Sequence, residues 1–199
     1  MKVVLASKNP HKLIEIQQIL EEYEIELVLQ SDFGVDIDVD ETGKSFEENS
    51  RLKAEAVVRA TGLPALADDS GLSVDALGGE PGIYSARYGG EGCKTDRDRL
   101  NLLLHNLRGI RSEERTARFV CAITLLYPDG KQLLAYGTCE GYIATEPHGE
   151  GGFGYDPVFY VPQQGCTFAE MGSEKKNAIS HRANALKQLC ELLDREKEL

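Results

Sequence analysis

The chain has 199 residues, of which 33 are acidic and 22 are basic, so its formal net charge is -11 at pH 7 with histidine neutral. This length predicts one domain or two small lobes, and 41% hydrophobic with 28% charged residues argues against a disordered chain, a collagen or a coiled-coil rod. Nucleic acids and anionic membranes bind cationic surfaces, so an acidic chain without a Lys/Arg cluster is not expected to bind either. A small phosphorylated ligand remains compatible with this charge, because a metal ion can supply positive charge locally.

Cysteine usage and apolar runs indicate a reducing compartment. The five cysteines are far apart, odd in number and without a CxxC pair. We interpret them as reduced, buried small side chains rather than zinc ligands or a disulfide framework. The apolar run at the N-terminus is too short for a signal peptide, and no stretch of about 18 apolar residues occurs. We therefore expect a cytoplasmic protein.

Strands and helices alternate in the first half of the chain. A β-branched run precedes Asn9 and Pro10, which suit the N-cap and the first position of a helix. Ser45 and Glu48 match a capping box ahead of a second helical segment. These patterns predict strands at residues 2–6, 26–29, 63–67 and 72–77, and helices at residues 10–23 and 46–60.

The second half is predicted to hold a hairpin between helices. Thr95 is a candidate cap for a helix ending near residue 107, and Pro128-Asp129-Gly130 lies between apolar runs at 117–127 and 132–143. A strand at 158–161 and a last helix at 180–196 follow. The element order predicts an α/β fold with a mixed central sheet and flanking helices. We also expect two lobes with a cleft between them.

The first candidate site is a strand-to-helix junction formed by Ser7, Lys8, Asn9, Pro10, His11 and Lys12. A helix N-terminus offers unpaired backbone N–H groups and the positive end of the helix dipole, which phosphates favour. The Walker pattern GxxxxGK[ST] is absent. The alternative is a simple Asn9 cap followed by a solvated Lys12.

The second candidate site is an acidic stretch that contains Asp40 and Glu41 and precedes the helix at 46–60. On that helix Asn49 and Lys53 are four residues apart, so they share one face and together suit a polyphosphate. A solvated loop and an ordinary surface pair are the alternatives.

The third candidate site is the pair Asp68 and Asp69, directly after an apolar strand. Adjacent strand residues point to opposite faces, so we expect one aspartate to face the cleft and the other to brace the loop. Mg²⁺ prefers carboxylate oxygens and usually takes one or two from protein. Asp69 with Asp40 or Glu41 therefore forms a candidate magnesium site, and an Asx-type turn at Asp-Ser-Gly is the alternative.

Two further motifs lie near the C-terminus. Phe153 stands between glycines, which lets a flat ligand ring lie close to the backbone. Lys176, His181 and Arg182 surround the predicted start of the last helix. Cations are unfavourable in a helix's first turn, so this placement indicates an anionic or carbonyl-bearing ligand. A core phenylalanine and a structural histidine are the alternatives.

Five segments, in this order, resemble the motifs of the inosine triphosphate pyrophosphatase family: ASKNPHK, ETGKSFEENSRLKA, ALADDSGLSVDALGGEPGIYSARY, GGFGYDPVF and SEKKNAISHRANAL. They span essentially the whole chain. The resemblance implies one domain over residues 1–199 with an elongated two-lobed fold, its active site in the cleft, and a homodimer. It also implies Mg²⁺-dependent hydrolysis of ITP, dITP and XTP between the α and β phosphates, which yields the monophosphate and pyrophosphate.

The resemblance also implies residue roles. Asp69 would be the general base and a metal ligand, and Asp40 or Glu41 a second metal ligand. Residues 7–12 would hold the triphosphate, assisted by Asn49 and Lys53. The nucleotide pocket would be completed by Ser70, Phe153, Gly154, Tyr155, Asp156, Lys176, His181 and Arg182. Two other functions fit the same motifs, namely a pyrophosphatase for modified pyrimidine nucleotides and a nucleotide sensor that does not hydrolyse.

Overall fold

A computed structural model describes residues 1–8, 10–20, 23–35 and 37–197. Within these residues the strands form one sheet in the order β2-β1-β3-β4-β5-β6-β7. The strands are β1 (Lys2–Leu5), β2 (Glu26–Leu29), β3 (Ala65–Val74), β4 (Thr116–Leu126), β5 (Gln132–Ile143), β6 (Phe159–Val161) and β7 (Cys166–Thr167). The helices are α1 (Pro10–Leu20), α2 (Phe46–Thr61), α3 (Asp96–Asn106), α4 (Ser173–Ile179) and α5 (His181–Lys197).

The sheet is mixed. Strand β1 pairs in parallel with β2 and with β3, whereas β6 pairs antiparallel with both β5 and β7. Helices α1 and α2 supply the crossovers that parallel neighbours require. The predicted α/β fold with a mixed central sheet and flanking helices is confirmed.

Local capping explains where two of the helices begin. The Ser45 hydroxyl accepts a hydrogen bond from the Glu48 N–H, and Gly62 ends α2 in the left-handed conformation. Thr95 and Asp98 form a reciprocal capping box at the start of α3. The predicted caps at Ser45 and Thr95 are therefore confirmed as short-range interactions. The reciprocal half of the capping box predicted for Ser45 and Glu48 differs, because the Glu48 carboxylate accepts from the Lys44 N–H and not from the Ser45 N–H.

Strand β3 corrects one prediction. The sequence predicts two strands separated by a loop or turn at 68–71, but the structure has one strand from Ala65 to Val74. The alternative, an Asx-type turn at Asp-Ser-Gly, is contradicted as well. Asp68 and Asp69 are buried inside the strand and form ion pairs, so these carboxylates need neither a turn nor solvent exposure.

The C-terminal helical region corrects a second prediction. Lys175 and Lys176 lie in α4, and the extended backbone of Ser180 separates that helix from α5. Lys176 lies in the last turn of α4, where a cation interacts favourably with the helix dipole. The prediction that Lys176 lies at the start of the last helix is therefore wrong, and of the three predicted residues only His181 and Arg182 begin α5.

The chain divides into two compact units. The first comprises Met1–Asp69, Cys121–Gly137 and Arg182–Leu199. In this unit one face of the strands packs on α1 and α5, through residues that include Val3, Leu5, Ile16, Leu66 and Leu186. On the other face Ala65 and Ala67 pack on Ala54 and Val57 of α2. Each large aliphatic side chain buried in this way stabilises the fold by roughly 1.5–3 kcal/mol.

The second unit comprises Ser70–Val120 and Thr138–His181. Its core contains a cluster of three aromatic rings, from Phe119, Phe159 and Phe168, whose centroids lie 4.6–5.7 Å apart. Leu100 and Leu103 of α3 belong to the same core. Across the described parts of both units, every helix is too short or too polar to span a bilayer.

Candidate active site

The two aspartates of β3 point to opposite faces of the sheet. Leu66 belongs to the core formed with α1 and α5, and Asp68, two residues further on, contacts side chains of those same helices. Ala67 packs on α2, and Asp69 contacts side chains of α2. The expected alternation between Asp68 and Asp69 is therefore observed, and both faces lie in the first unit.

Asp68 is the centre of a buried ion-pair network. Lys12 Nζ contacts both Asp68 oxygens, at 2.8 and 2.9 Å, and Arg182 Nη2 lies 3.2 Å from Oδ2. Asp68 is 2% exposed. Burial alone would raise the pKa of this carboxyl, but the charges of Lys12 and Arg182 outweigh burial and hold its pKa below the ordinary value. Asp68 is therefore ionised and joins β3 to the first turns of α1 and α5.

Asp69 has a different environment. Lys53 Nζ lies 2.7 Å from Asp69 Oδ1, and Asn49 Nδ2 donates to Oδ2 at 3.3 Å. The same Lys53 nitrogen lies 2.6 Å from Glu41 Oε1. Burial, with the nearby Glu41 charge, outweighs Lys53 and raises the pKa of Asp69 to about 6. The two carboxylates in turn raise the pKa of Lys53 despite its burial, so this ammonium keeps its proton.

The loop before α2 distinguishes Glu41 from Asp40. Glu41 is half-buried against Lys53, whereas Asp40 is exposed. The loop is held on α2 by a hydrogen bond of 2.9 Å from the Gly43 N–H to Asn49 Oδ1. Of the two residues that the sequence left open as metal ligands, Glu41 is the one that shares a cation with Asp69.

A cavity of about 530 Å³ opens beside these side chains within the first unit. Its lining includes Ser7, Lys8, Lys12, Glu41, Lys53 and Asp68. Three of these side chains are cationic, which suits the oxygens of a polyphosphate. Of the other predicted phosphate-binding residues, Asn9 lies outside the described residues. Pro10 and His11 begin α1, with side chains outside what the structure describes.

A second group of predicted site residues lies within the second unit. Lys176 Nζ contacts Asp156 Oδ2 at 2.5 Å and lies 4.9 Å from the centroid of the Phe153 ring. The Phe153 N–H also donates to Asp156 Oδ2, at 2.9 Å. A Cβ at Gly152 would lie 2.1 Å from that oxygen, so only glycine fits there. The result is a Phe153 ring that is 61% exposed beside a fixed ammonium group.

The remaining predicted residues of this unit are mostly buried. The Tyr155 hydroxyl donates to the Ser85 carbonyl at 2.8 Å, and burial raises the pKa of Tyr155 far above its ordinary value. The His181 ring stacks on Phe119 at 4.8 Å. Ser70 is half-buried in β3, and the Gly154 N–H donates to Asp96 at 3.2 Å. Tyr155 and His181 are thus anchored in the core of this unit.

Two functional positions were not resolved by sequence reasoning. The sequence leaves the role of Asp68 open and indicates none for Gly43. Leu66 and Asp68 are two residues apart on an apolar strand, so their side chains point to the same face. This spacing is the signal that could have placed Asp68 on the face that packs on α1 and α5. No local pattern marks Gly43, whose hydrogen-bond partner Asn49 lies in the following helix.

The chain matches the Ham1 family over residues 3–192. The chain belongs to the Ham1 family. Among its relatives in this family, a dITP/XTP pyrophosphatase of Thermus thermophilus is 54% identical over 191 residues, which cover 96% of this chain and 91% of the relative. A dITP/XTP pyrophosphatase of Bacillus subtilis is 48% identical over 193 residues, which cover 97% of both chains.

Solved Ham1 structures have the same fold. A HAM1 protein from Coxiella burnetii superposes with a TM-score of 0.91 at 45% identity, covering 98% of this chain and 99% of that one. The Ham1 protein of Staphylococcus aureus gives a TM-score of 0.90 at 44% identity, covering 98% and 100%. The family predicted from the five motifs is therefore confirmed.

Proposed function

We propose that this Ham1 protein hydrolyses the non-canonical purine nucleoside triphosphates dITP, XTP and ITP to the monophosphate and pyrophosphate, and so cleanses the nucleotide pool. One observation carries the proposal. Two carboxylates, Glu41 and Asp69, converge on Lys53 beside a cavity that Lys8 and Lys12 also line. Relatives named dITP/XTP pyrophosphatase, at 48–54% identity over nearly the full length, support it.

The residues fit a magnesium ion. Glu41 Oε1 and Asp69 Oδ1 lie 2.6 and 2.7 Å from the same Lys53 nitrogen, so two carboxylate oxygens already face one cationic position. Mg²⁺ usually takes one or two carboxylates and completes its octahedron with water and substrate phosphate. No group of three His, Cys, Asp or Glu side chains suited to a metal occurs among the described residues, so the proposed site rests on these two carboxylates. Bound there by Glu41 and Asp69, the ion would neutralise charge on the phosphates.

The side chains of the first unit supply the rest of the chemistry. Asp69, whose pKa is raised to about 6, is suited to accept the proton of a water that attacks the α phosphorus in line. Lys53 holds the Asp69 carboxylate in place at 2.7 Å. Lys8 and Lys12 line the cavity and would neutralise the departing pyrophosphate. Positioning and charge neutralisation provide most of the catalysis in phosphoryl transfer.

The second unit carries groups suited to a purine base. Phe153 presents an exposed ring for stacking, and the Lys176 ammonium next to it is a hydrogen-bond donor. Hypoxanthine and xanthine present a 6-oxo acceptor, whereas adenine presents an amino donor at that position. With ATP a donor would face a donor, which would weaken ATP binding by several kcal/mol and so select for the 6-oxo purines. His181 and Arg182 remain predictions as further hydrogen-bond donors to the base. In the structure their side chains contact other residues of the protein, because the His181 ring stacks on Phe119 and Arg182 contacts Asp68.

The test is pyrophosphate release from a panel of triphosphates, with Mg²⁺ and with chelator. We expect release from dITP, XTP and ITP that exceeds release from ATP, dUTP and dTTP by at least about 100-fold and that requires the metal. A preference for dUTP or dTTP would instead indicate a pyrimidine nucleotide pyrophosphatase. Binding without pyrophosphate release would indicate a sensor.

We also propose that the protein is a homodimer, which rests on the family resemblance alone. Light scattering behind size exclusion should give twice the mass of one chain. A mass of one chain at micromolar concentration would contradict the dimer without affecting the proposed reaction.

A further inference from the structure

We propose that Asn49 is a positioning residue that fixes the Glu41 loop and Asp69 relative to each other, rather than a ligand of the substrate. The inference rests on the proposed function, because what Asn49 positions is the pair of carboxylates assigned to the metal. Asn49 is 0% exposed, and both ends of its amide are already bonded, Oδ1 to the Gly43 N–H and Nδ2 to Asp69 Oδ2. A direct contact with a polyphosphate in that cavity is therefore not open to it.

The amide of Asn49 connects two elements that carry the site. Its Oδ1 accepts from the Gly43 N–H at 2.9 Å, and its Nδ2 donates to Asp69 Oδ2 at 3.3 Å. Lys53, one helical turn further along α2, binds the other oxygen of Asp69. Only a carboxamide offers one acceptor and one donor at this spacing, since a carboxylate would place a second acceptor against Asp69.

Gly43 is the matching requirement on the loop. A Cβ at this position would lie 2.6 Å from Asn49 Oδ1 and 2.8 Å from Glu48 Cβ. Gly43 is not among the described residues with a positive φ, so the need is for space and not for an unusual backbone conformation. The next residue is held in the same way, because the Lys44 N–H donates to Glu48 Oε2 at 2.6 Å. Residues 43 and 44 are thus fixed to the first turn of α2, and Glu41 lies two residues upstream.

This arrangement predicts an effect on metal affinity. Groups that orient the ligands of a metal typically change its affinity by about 10- to 100-fold when removed. Truncation of Asn49 releases both the loop and one side of Asp69, so the two carboxylates lose their fixed separation. A Cβ at Gly43 pushes the loop away from Asn49 Oδ1 while the chemical groups of Asn49 and Asp69 stay the same. Both changes should therefore weaken the metal site.

The experiment measures Mn²⁺ binding by calorimetry without nucleotide, in wild type, Asn49→Ala and Gly43→Ala. Ser50→Ala is the matched control, because Ser50 is the next residue on α2, is equally buried and binds Thr124 at 2.7 Å rather than a carboxylate. We expect Asn49→Ala to lose Mn²⁺ affinity by about 10- to 100-fold. Gly43→Ala should also lose Mn²⁺ affinity, whereas the affinity of Ser50→Ala should stay within about twofold of wild type. At saturating Mg²⁺, the KM for dITP should change less than about twofold in Asn49→Ala while kcat falls.

Two results would overturn the inference. One is wild-type Mn²⁺ affinity in both Asn49→Ala and Gly43→Ala. The other is a raised KM for dITP in Asn49→Ala with unchanged metal affinity, which would indicate that Asn49 binds the substrate directly. If Asn49→Ala does not fold, Gly43→Ala decides, because it deletes no buried polar group and acts only by displacing the loop from Asn49. A wild-type protein that neither binds Mn²⁺ nor releases pyrophosphate would instead contradict the proposed function.

Discussion

The two faces of β3 carry neighbouring aspartates with opposite electrostatic environments. On one face a single carboxylate, Asp68, is shared by two cations, Lys12 and Arg182. On the other face a single cation, Lys53, is shared by two carboxylates, Asp69 and Glu41. The first arrangement lowers the pKa of its aspartate, and the second leaves the pKa of Asp69 raised to about 6.

The ratio of cations to carboxylates explains why adjacent residues of one type have different roles. The Asp68 contacts carry an excess of positive charge, which binds three elements together and would repel a metal ion. The Asp69 contacts carry an excess of negative charge, which a divalent cation would balance. Asp68 therefore supports the fold, whereas Asp69 carries the chemistry, and five substitutions test that division.

The largest effect is expected for Asp69→Asn. The amide cannot accept a proton and is a weaker metal ligand, so pyrophosphate release from dITP should fall by at least about 10³-fold. Nucleotide binding, measured by calorimetry, should remain detectable. Release within tenfold of wild type would contradict the assignment of Asp69 as the base.

Asp68→Ala should lower the free energy of unfolding. Its removal leaves Lys12 and Arg182 without their shared carboxylate, and breaking a buried ion pair in this way costs about 3–5 kcal/mol. Urea unfolding in the presence of chelator measures the free energy of unfolding without any contribution from metal. A loss below about 1 kcal/mol would show that Asp68 is not a brace.

Glu41→Gln and Asp40→Asn form a matched pair on one loop. Because Glu41 contacts Lys53 and Asp40 is exposed, Glu41→Gln should weaken Mn²⁺ binding by about tenfold or more, with at most a twofold change in Asp40→Asn. Calorimetry without nucleotide gives both values. A larger loss of Mn²⁺ affinity in Asp40→Asn than in Glu41→Gln would indicate that Asp40 is the second metal ligand.

The smallest expected effect is a change in the free energy of unfolding at acid pH. The folded-state pKa of Asp68 lies below the unfolded value of about 3.9, so its stabilisation is complete above that pH and is lost as pH falls further. In chelator, the difference in unfolding free energy between wild type and Asp68→Asn should shrink below about pH 4, by at most about 1.4 kcal/mol per pH unit. A difference that stays constant down to pH 2 would contradict the lowered pKa.

Features fixed by local interactions were predictable from the sequence. The caps at Ser45 and Thr95 and the hairpin around Gly130 depend on residues within a few positions of each other. The opposite orientation of Asp68 and Asp69 followed from strand geometry once a strand was assumed. Membership in the family followed from five motifs in order.

Features fixed by distant partners were not predictable. The continuity of β3 depends on ion pairs of Asp68 with residues 56 and 114 positions away in the sequence. Without knowledge of these partners, the polar residues 68–71 indicate a loop. The spacing of Asn49 and Lys53 gave a shared face of α2 but not the complete burial of Asn49. The choice between Asp40 and Glu41 depends on how an irregular loop lies on α2, which no periodicity encodes.

The most direct test of the division between the two faces is Mn²⁺ calorimetry on Asp68→Asn and Asp69→Asn side by side, at a temperature where circular dichroism shows both to be folded. These substitutions are isosteric and one residue apart, so they differ only in the face that they alter. We expect Asp69→Asn to lose Mn²⁺ affinity by at least about tenfold, while Asp68→Asn keeps it within about threefold. Equal losses in both variants, or a larger loss in Asp68→Asn, would contradict this division.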